Sequence, residues 1–300
     1  MTAKSNSEYA SPAAFRSALT AKLKTLAATS RWQLPQLQRQ IAYDRLLVRL
    51  YLLDKGWIVK GAIALLARDI GVRATNDIDV FRNTASEAAE IELRQAASQD
   101  VGDWFRFDIG PGNPTGDGSE ATRLPVTAFI GPTAWQKFHI DLTGATLRVT
   151  GEPEEVPPLA RLGMPGLEQV GYRAYPLVDH VADKIMATFQ RYGQSQAPST
   201  RYKDLVDLVA IVTAAPIDAK PQRVALQSEA ERRGIQMPKR FVVPDRILWE
   251  AGYRAEAGRS LLRVDRTLDE ALAIVGAFAD PALDGTASGH WDPKNGIWVV

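Results

Sequence analysis

Two aspartates one residue apart, Asp77 and Asp79 in the stretch NDIDVF, are the residues whose type and spacing could do chemistry. Acidic and apolar residues alternate from Asp77 to Phe81 as on a strand, so Ile78 and Val80 point into the core and both carboxylates project from the other face. Held that close without a partner they would repel, and one would be driven neutral, whereas a bound divalent cation keeps both ionised. Magnesium, or manganese, suits the donor type, because hard cations take oxygen ligands and readily share them with phosphate. Taken alone an Asp-x-Asp is a weak signal, more often a turn or a solvated strand face. Its surroundings strengthen it. A Lys60-Gly61 turn lies upstream, Arg68 and Arg73 follow, and the segment FHIDL offers Asp141 on a later strand. His139 shares the strand face of Asp141 and reads more readily as structural than as a ligand.

The elements that must position these residues show in the apolar spacing. Three- and four-residue periodicity (Leu19, Leu23, Leu26; Leu37, Ile41, Leu46, Leu50) predicts amphipathic helices over 12–29 and 33–54. Trp57 to Val59 reads as a short strand, Ala62 to Arg68 as a helix, 77–81 as a strand and 85–99 as a helix. The glycine- and proline-rich run GPGNPTGDGSE at 110–120 is a loop between strands near 104–109 and 124–130, and Lys137 to Leu142 is a further strand. Beyond the proline- and acid-rich segment 151–158 the pattern turns helical, at 177–192, 200–214, 221–233 and 266–279. A boundary near 155 is expected, with 1–155 a mixed α/β (α+β) core and 156–300 a mainly helical domain. The last residues include Trp291, Ile297, Trp298, Val299 and Val300, too apolar for a free tail, so this end should dock.

Composition bounds the chemistry. The chain has 300 residues, 45% hydrophobic and 24% charged, enough to bury a sizeable core. With no cysteine, disulfides, thiolate metal sites and cysteine nucleophiles are excluded. Only three histidines are present, so carboxylates are the expected metal ligands. A formal net charge of +1 gives no basic coat for nucleic acid, although local clusters could still grip phosphate. The N-terminus lacks the apolar core of a secretory signal and no stretch reaches the roughly 20 apolar residues of a spanning helix, so a cytoplasmic location is expected.

The run VKGAIALLARDIGVRATNDIDVF resembles the first motif of the polymerase-beta-like nucleotidyltransferase fold, in the form carried by the AbiEii toxin family (MenT-like). VADKIMATF and RYKDLVDLVAI resemble that family's later signatures, a helix lysine and an Asp-Leu-x-Asp helix, and the match in order and spacing spans about 57–212. The resemblance implies a nucleotidyltransferase core with a mixed sheet and a helical C-terminal domain that completes the active site and binds the acceptor. It implies that Asp77 and Asp79 bind metal, that Lys184 contacts the triphosphate of a bound NTP, and that Asp204 completes the site. Asp141 would be the third carboxylate, joining the metal site and helping to activate the attacking hydroxyl. Lys60, Gly61, Ala62 and Arg68 would line the nucleotide side. Where the family usually has a serine or second glycine after the turn glycine, this chain reads Gly61, Ala62, Ile63, Ala64, so the phosphate-binding hydroxyl is missing. Backbone N–H groups at the helix start could still serve.

Family members act as toxins of toxin–antitoxin pairs, and some add nucleotides to the 3′ end of transfer RNA, which makes tRNA the expected acceptor and an antitoxin a possible partner. Arg201, Tyr202 and Lys203, Arg232 and Arg233, and Lys239, Arg240 and Phe241 mix cations with aromatics as nucleic-acid surfaces do. From residues alone, Asp204 and Asp207 could equally pair with Arg201 or Lys203 nearby, and Lys184 could be a solvated helix residue. Three alternatives stay open: transfer to a protein or a small molecule such as an aminoglycoside, phosphotransfer of a terminal phosphate, and a non-catalytic nucleotide-binding module.

Overall fold

The computed structural model describes residues 8–115, 121–262 and 267–300, so 116–120 of the expected loop and residue 266 of the last expected helix lie outside it. The chain forms two compact units, one of Met1–Ile63, Thr75–Leu147 and Glu155–Ala174, the other of Ala64–Ala74, Arg148–Glu154 and Tyr175–Val300. The two units interleave along the sequence.

In chain order the elements begin with α1 (Pro12–Thr29), α2 (Leu34–Leu53), β1 (Trp57–Val59), α3 (Gly61–Ala67), β2 (Asp77–Arg82) and α4 (Ser86–Ala97). Then come β3 (Phe105–Ile109), β4 (Asn113–Pro114), β5 (Ala121–Ile130), β6 (Thr133–Thr143), β7 (Glu154–Val156) and β8 (Tyr172–Ala174). Ser11 caps α1 by accepting from the Ala14 N–H, and Pro12 costs nothing in a first turn whose N–H groups lack helical partners. Among the described residues the sheet has the order β3-β5-β6-β2-β1-β8-β7, with β4 also on β5. It is mixed as expected: β2 runs parallel to β6 and β1 parallel to β8, while β1–β2, β3–β5 and β5–β6 are antiparallel. Ile78, Val80, Ile140 and Leu142 are buried from β2 and β6, which turns Asp77, Asp79 and Asp141 to the opposite face. Helix α2 carries an ionic interior that apolar spacing did not announce. Arg45 Nε lies 2.6 Å and Arg49 Nη2 2.7 Å from the buried Asp103 carboxylate. Arg45 and Arg49 are buried too, and breaking such a pair costs about 3–5 kcal/mol.

The second unit holds α5 (Leu177–Phe189), α6 (Tyr202–Val212), β9 (Ile217–Asp218), α7 (Ala219–Arg233), α8 (Arg246–Arg259), α9 (Leu268–Asp284), β10 (His290–Asp292) and β11 (Ile297–Val299). Its core gathers Val181, Ile185, Leu205, Leu208, Trp249, Phe278 and Trp291. The C-terminal end does dock: β10 pairs with β9 and β11, the Trp291 indole donates to Val212 O at 2.7 Å, and that of Trp298 to Phe278 O at 3.0 Å. Helix α8 was missed in the sequence because arginines, glutamates and alanines dilute its stripe of Trp249, Tyr253 and Ala257, which is nonetheless buried at four-residue spacing.

Candidate active site

Asp77 and Asp79 occupy alternate positions of β2, and the parallel register with β6 sets Asp79 beside Asp141 and Asp77 beside His139. The first unit thus brings three of the expected site carboxylates onto neighbouring strands and leaves His139 exposed. Asp77 accepts a hydrogen bond from the Thr75 hydroxyl, which also fixes the turn entering β2. The Asp79 backbone carbonyl accepts from Lys60 N at 2.8 Å. Gly61 follows with φ +54°, and a Cβ there would collide with the Asp79 carboxylate. Glycine is required on both counts, the left-handed backbone and the close approach. From α2, the Tyr43 hydroxyl donates to Thr75 O at 3.1 Å. Burial pushes this phenol well above its usual range, and the charges of Asp77 and Asp79 add to the rise, so it is a neutral donor there.

Antiparallel register across β5 places Arg123 opposite Asp141. Its guanidinium grips that carboxylate with both arms, Nε to Oδ1 at 2.8 Å and Nη2 to Oδ2 at 2.5 Å, and Nη2 stands 3.8 Å from Asp77 Oδ2. Sequence reasoning missed Arg123. The one available signal was the alternation of β5, which buries Leu124, Val126, Ala128 and Ile130 and so turns Arg123 to the carboxylate face.

The donor set can be compared with what a divalent ion needs. Asp77 and Asp79 offer hard oxygens on one face, and the missing side chain of Gly61 lets the Asp79 carboxylate lie against the turn backbone. Asp141 is held by Arg123, and among the described residues no three carboxylate or imidazole groups converge on one point. The residues therefore fit a magnesium ion that keeps waters and substrate phosphate oxygens beside two protein carboxylates, rather than a closed protein cage.

Lys184 and Asp204 come together in the second unit. Lys184 is buried on α5, which removes the solvated-helix alternative, and its Nζ donates to Asp204 Oδ1 and Asp207 Oδ2 from α6, both at 2.8 Å. Arg73 makes a bidentate pair with Asp207, at 2.9 and 2.8 Å, and Arg201 bonds to Asp204. Asp207 thus does not pair with Lys203, as spacing allowed. The signal was the i, i+3 repeat of Asp-Leu-Val-Asp, which puts both carboxylates on one helix face. Burial alone would raise both carboxyls, but Arg201 and Lys184 hold Asp204 low, and Lys184 and Arg73 hold Asp207 well below the ordinary range. For Lys184 burial acts downward, yet Asp204 and Asp207 outweigh it and keep the amine charged. Nearby on α5, burial first and the Lys184 charge second push the His180 imidazole down to about 3, and its Nδ1 is buried without a partner.

Of the remaining expected residues, Ala62 is buried, so only its backbone could meet a phosphate, and α3 has seven residues and hence a weak dipole. Arg68 lies against Glu154 Oε2 at 2.9 Å and Tyr175 O at 2.8 Å. The basic clusters divide. Arg232 and Arg233 pair with Glu229 and Asp183, and Phe241 is buried against Phe189, so it is not a platform for a base. Tyr202 packs on Trp249, while Lys203, Lys239 and Arg240 are exposed.

Residues 45–278 match the family described as nucleotidyl transferase AbiEii toxin, type IV TA system. No curated protein sequence matches the chain. Among solved structures, MenT4, a nucleotidyltransferase toxin from Mycobacterium tuberculosis H37Rv, is similar at a TM-score of 0.50 and 18% identity, over 84% of this chain and 93% of that one. JHP933 from Helicobacter pylori is similar at 0.48 and 13% identity, over 83% and 94%. At 18% identity the likeness to MenT4 is one of fold.

Proposed function

We propose a reaction for this chain from one premise: it belongs to the AbiEii family of nucleotidyltransferase toxins of type IV toxin–antitoxin systems. The enzyme transfers the nucleoside monophosphate of an NTP to an acceptor, and the acceptor is RNA, at the 3′ end of tRNA. The observation that carries this reading is the placement of Asp77 and Asp79 on one face of β2 with Asp141 in register beside Asp79. Magnesium, when held by Asp77 and Asp79, supplies charge neutralisation for the triphosphate and lowers the pKa of a coordinated hydroxyl. Thr75 orients the Asp77 carboxylate, and Gly61, lacking a Cβ, lets the Asp79 carboxylate sit against the turn into α3. Asp141 is the candidate to receive the proton of the attacking hydroxyl, once its oxygens are no longer both engaged by Arg123. The assignment of Lys184 to the triphosphate rests on the family pattern. Its two carboxylate partners make stability the first property it controls.

Exposure of Lys203, Lys239 and Arg240 supports a polyanionic acceptor, with fewer cations than the sequence offered. No described helix is long and apolar enough to cross a membrane. An antitoxin partner follows from the family. The test incubates purified protein with magnesium, each α-labelled NTP in turn, and total RNA, total protein or aminoglycosides. Label on tRNA with release of pyrophosphate is expected. Label on protein or a small molecule, or transfer of the γ-phosphate alone, would replace the RNA reading with one of the alternatives.

A further inference from the structure

Arg123 is a cation that the structure positions against two of the site carboxylates, Asp141 and Asp77. Strand register alone lines up Arg123, Asp141 and Asp79 across β5, β6 and β2, on one face of the sheet. The guanidinium uses Nε and Nη2 on Asp141 and turns Nη2 towards Asp77 at 3.8 Å. Asp141 is the more enclosed member of the pair, 14% exposed against 47% for Arg123. The carboxylate is therefore the more enclosed partner, and the guanidinium the more solvent-accessible one.

Three carboxylates on adjacent strands repel, and a folded chain without a divalent ion must neutralise them with its own charge. We propose that Arg123 is the resident counter-ion of this site, a positioning residue that holds Asp141 and competes with the divalent cation for it. The proposal rests on the assignment of the metal to Asp77 and Asp79. In the ion-free protein Arg123 satisfies Asp141 and part of Asp77. When a dication binds, its charge replaces that of the guanidinium, the bidentate pair loosens, and Asp141 becomes available to a ligand or a proton. The arginine, now facing outward beside the site, is a cation for phosphate oxygens, a role to which its planar fork is suited. Competition of this kind weakens metal binding by the strength of the pair that must open. For a half-exposed bidentate pair that is up to about fivefold.

The test uses the full chain without nucleotide and reads two quantities, Mn2+ affinity by isothermal titration calorimetry and Tm with and without Mn2+. Arg123→Gln is expected to bind Mn2+ about fivefold more tightly than the parent, and to lose most of that gain in an Asp141→Asn background. It is also expected to lower the Tm of the ion-free protein and to match the parent once Mn2+ is saturating. A merely structural ion pair would lower Tm equally in both conditions and leave affinity unchanged, and that result overturns the proposal. So does tightening of the same size with Asp141→Asn present. If Arg123→Gln does not fold, Arg123→Lys keeps the charge and loses the fork, and a folded Lys variant with unchanged or weaker Mn2+ affinity is equally decisive. If the parent itself binds no Mn2+ under any condition, the metal assignment falls, and this proposal with it. If the parent binds Mn2+ and Arg123→Gln binds no better, only the proposal fails.

Discussion

At the residue scale the site depends on groups that cannot be exchanged for near relatives. Asp77→Asn and Asp79→Asn keep shape and hydrogen-bonding capacity but remove a charge from a dication. Several kcal/mol of charge stabilisation go with it, so transfer is expected to fall by about a thousandfold or more in either variant. Circular dichroism should stay unchanged, because both side chains lie outside the apolar core and losing one relieves repulsion. Near-parental turnover in magnesium for either variant would remove the carboxylate pair from the mechanism. Lys184 differs, because its ammonium is shared by two buried aspartates. Lys184→Met keeps the length and leaves Asp204 with Arg201 and Asp207 with Arg73, so the loss should lie near the low end of the roughly 3–5 kcal/mol expected for breaking a buried pair. Urea denaturation measures it. A variant as stable as the parent but unable to transfer would instead assign Lys184 to the triphosphate.

At the scale of elements, the turn from β1 into α3 carries the most consequence for the fewest residues. Gly61→Ala must adopt φ near +54° and push its methyl against the Asp79 carboxylate, for at least about 1–2 kcal/mol of backbone strain. It is expected to lose transfer as Asp79→Asn does, whereas Ala62→Ser places a hydroxyl in a buried position and should lower Tm slightly without tightening nucleotide binding. Comparing nucleotide affinity and Tm of the two variants separates these effects, and a Gly61→Ala enzyme with parental activity would refute the close approach. Much of this was legible in the residues. The alternation of Asp77 to Phe81 gave β2 and its outward carboxylates, and the apolar spacing gave α1, α2, α5, α6 and α7 closely, with α9 ending five residues later than expected. What stayed hidden was whatever depends on strand order or on charge buried in pairs. Nothing in a linear pattern says that β5 lies against β6 with Arg123 opposite Asp141, or that α2 buries two arginines against Asp103. Arg232, Arg233 and Phe241 read as a nucleic-acid surface because composition cannot show that Glu229 and Asp183 already hold the cations, or that the ring is in the core.

On the scale of the whole molecule, pH and salt separate stability from acceptor binding. His180 is neutral and buried, held at a pKa of about 3 against about 6.5 unfolded, so its contribution is complete above pH 6.5 and is lost as pH falls towards 3. Each pH unit in that window costs about 1.4 kcal/mol, a rate that matters against a typical total of about 5–15 kcal/mol. Asp204 and Asp207, held low by their cations, add a second loss only below about pH 4. His180→Gln should therefore flatten the stability profile between pH 6 and 4, as read by urea midpoints, while leaving the loss below pH 4. An unchanged slope would show the imidazole to be solvated. The acceptor answers to salt. If RNA is gripped through phosphates, log affinity for tRNA falls linearly with log salt concentration, and each lost phosphate contact should reduce the slope by about 1. The exposed cations Lys203, Lys239 and Arg240 are the ones available for this role, so the triple change to glutamine is expected to reduce the slope by up to about 3 and to weaken tRNA labelling far more than NTP binding. Arg232→Gln with Arg233→Gln, which breaks ion pairs to Glu229 and Asp183, should lower Tm instead and leave the salt slope nearly unchanged. A salt-independent labelling rate, or a triple variant with the parental slope, would mean that the acceptor is not held by these phosphate contacts, and transfer to a protein or small-molecule hydroxyl would become the reading to pursue.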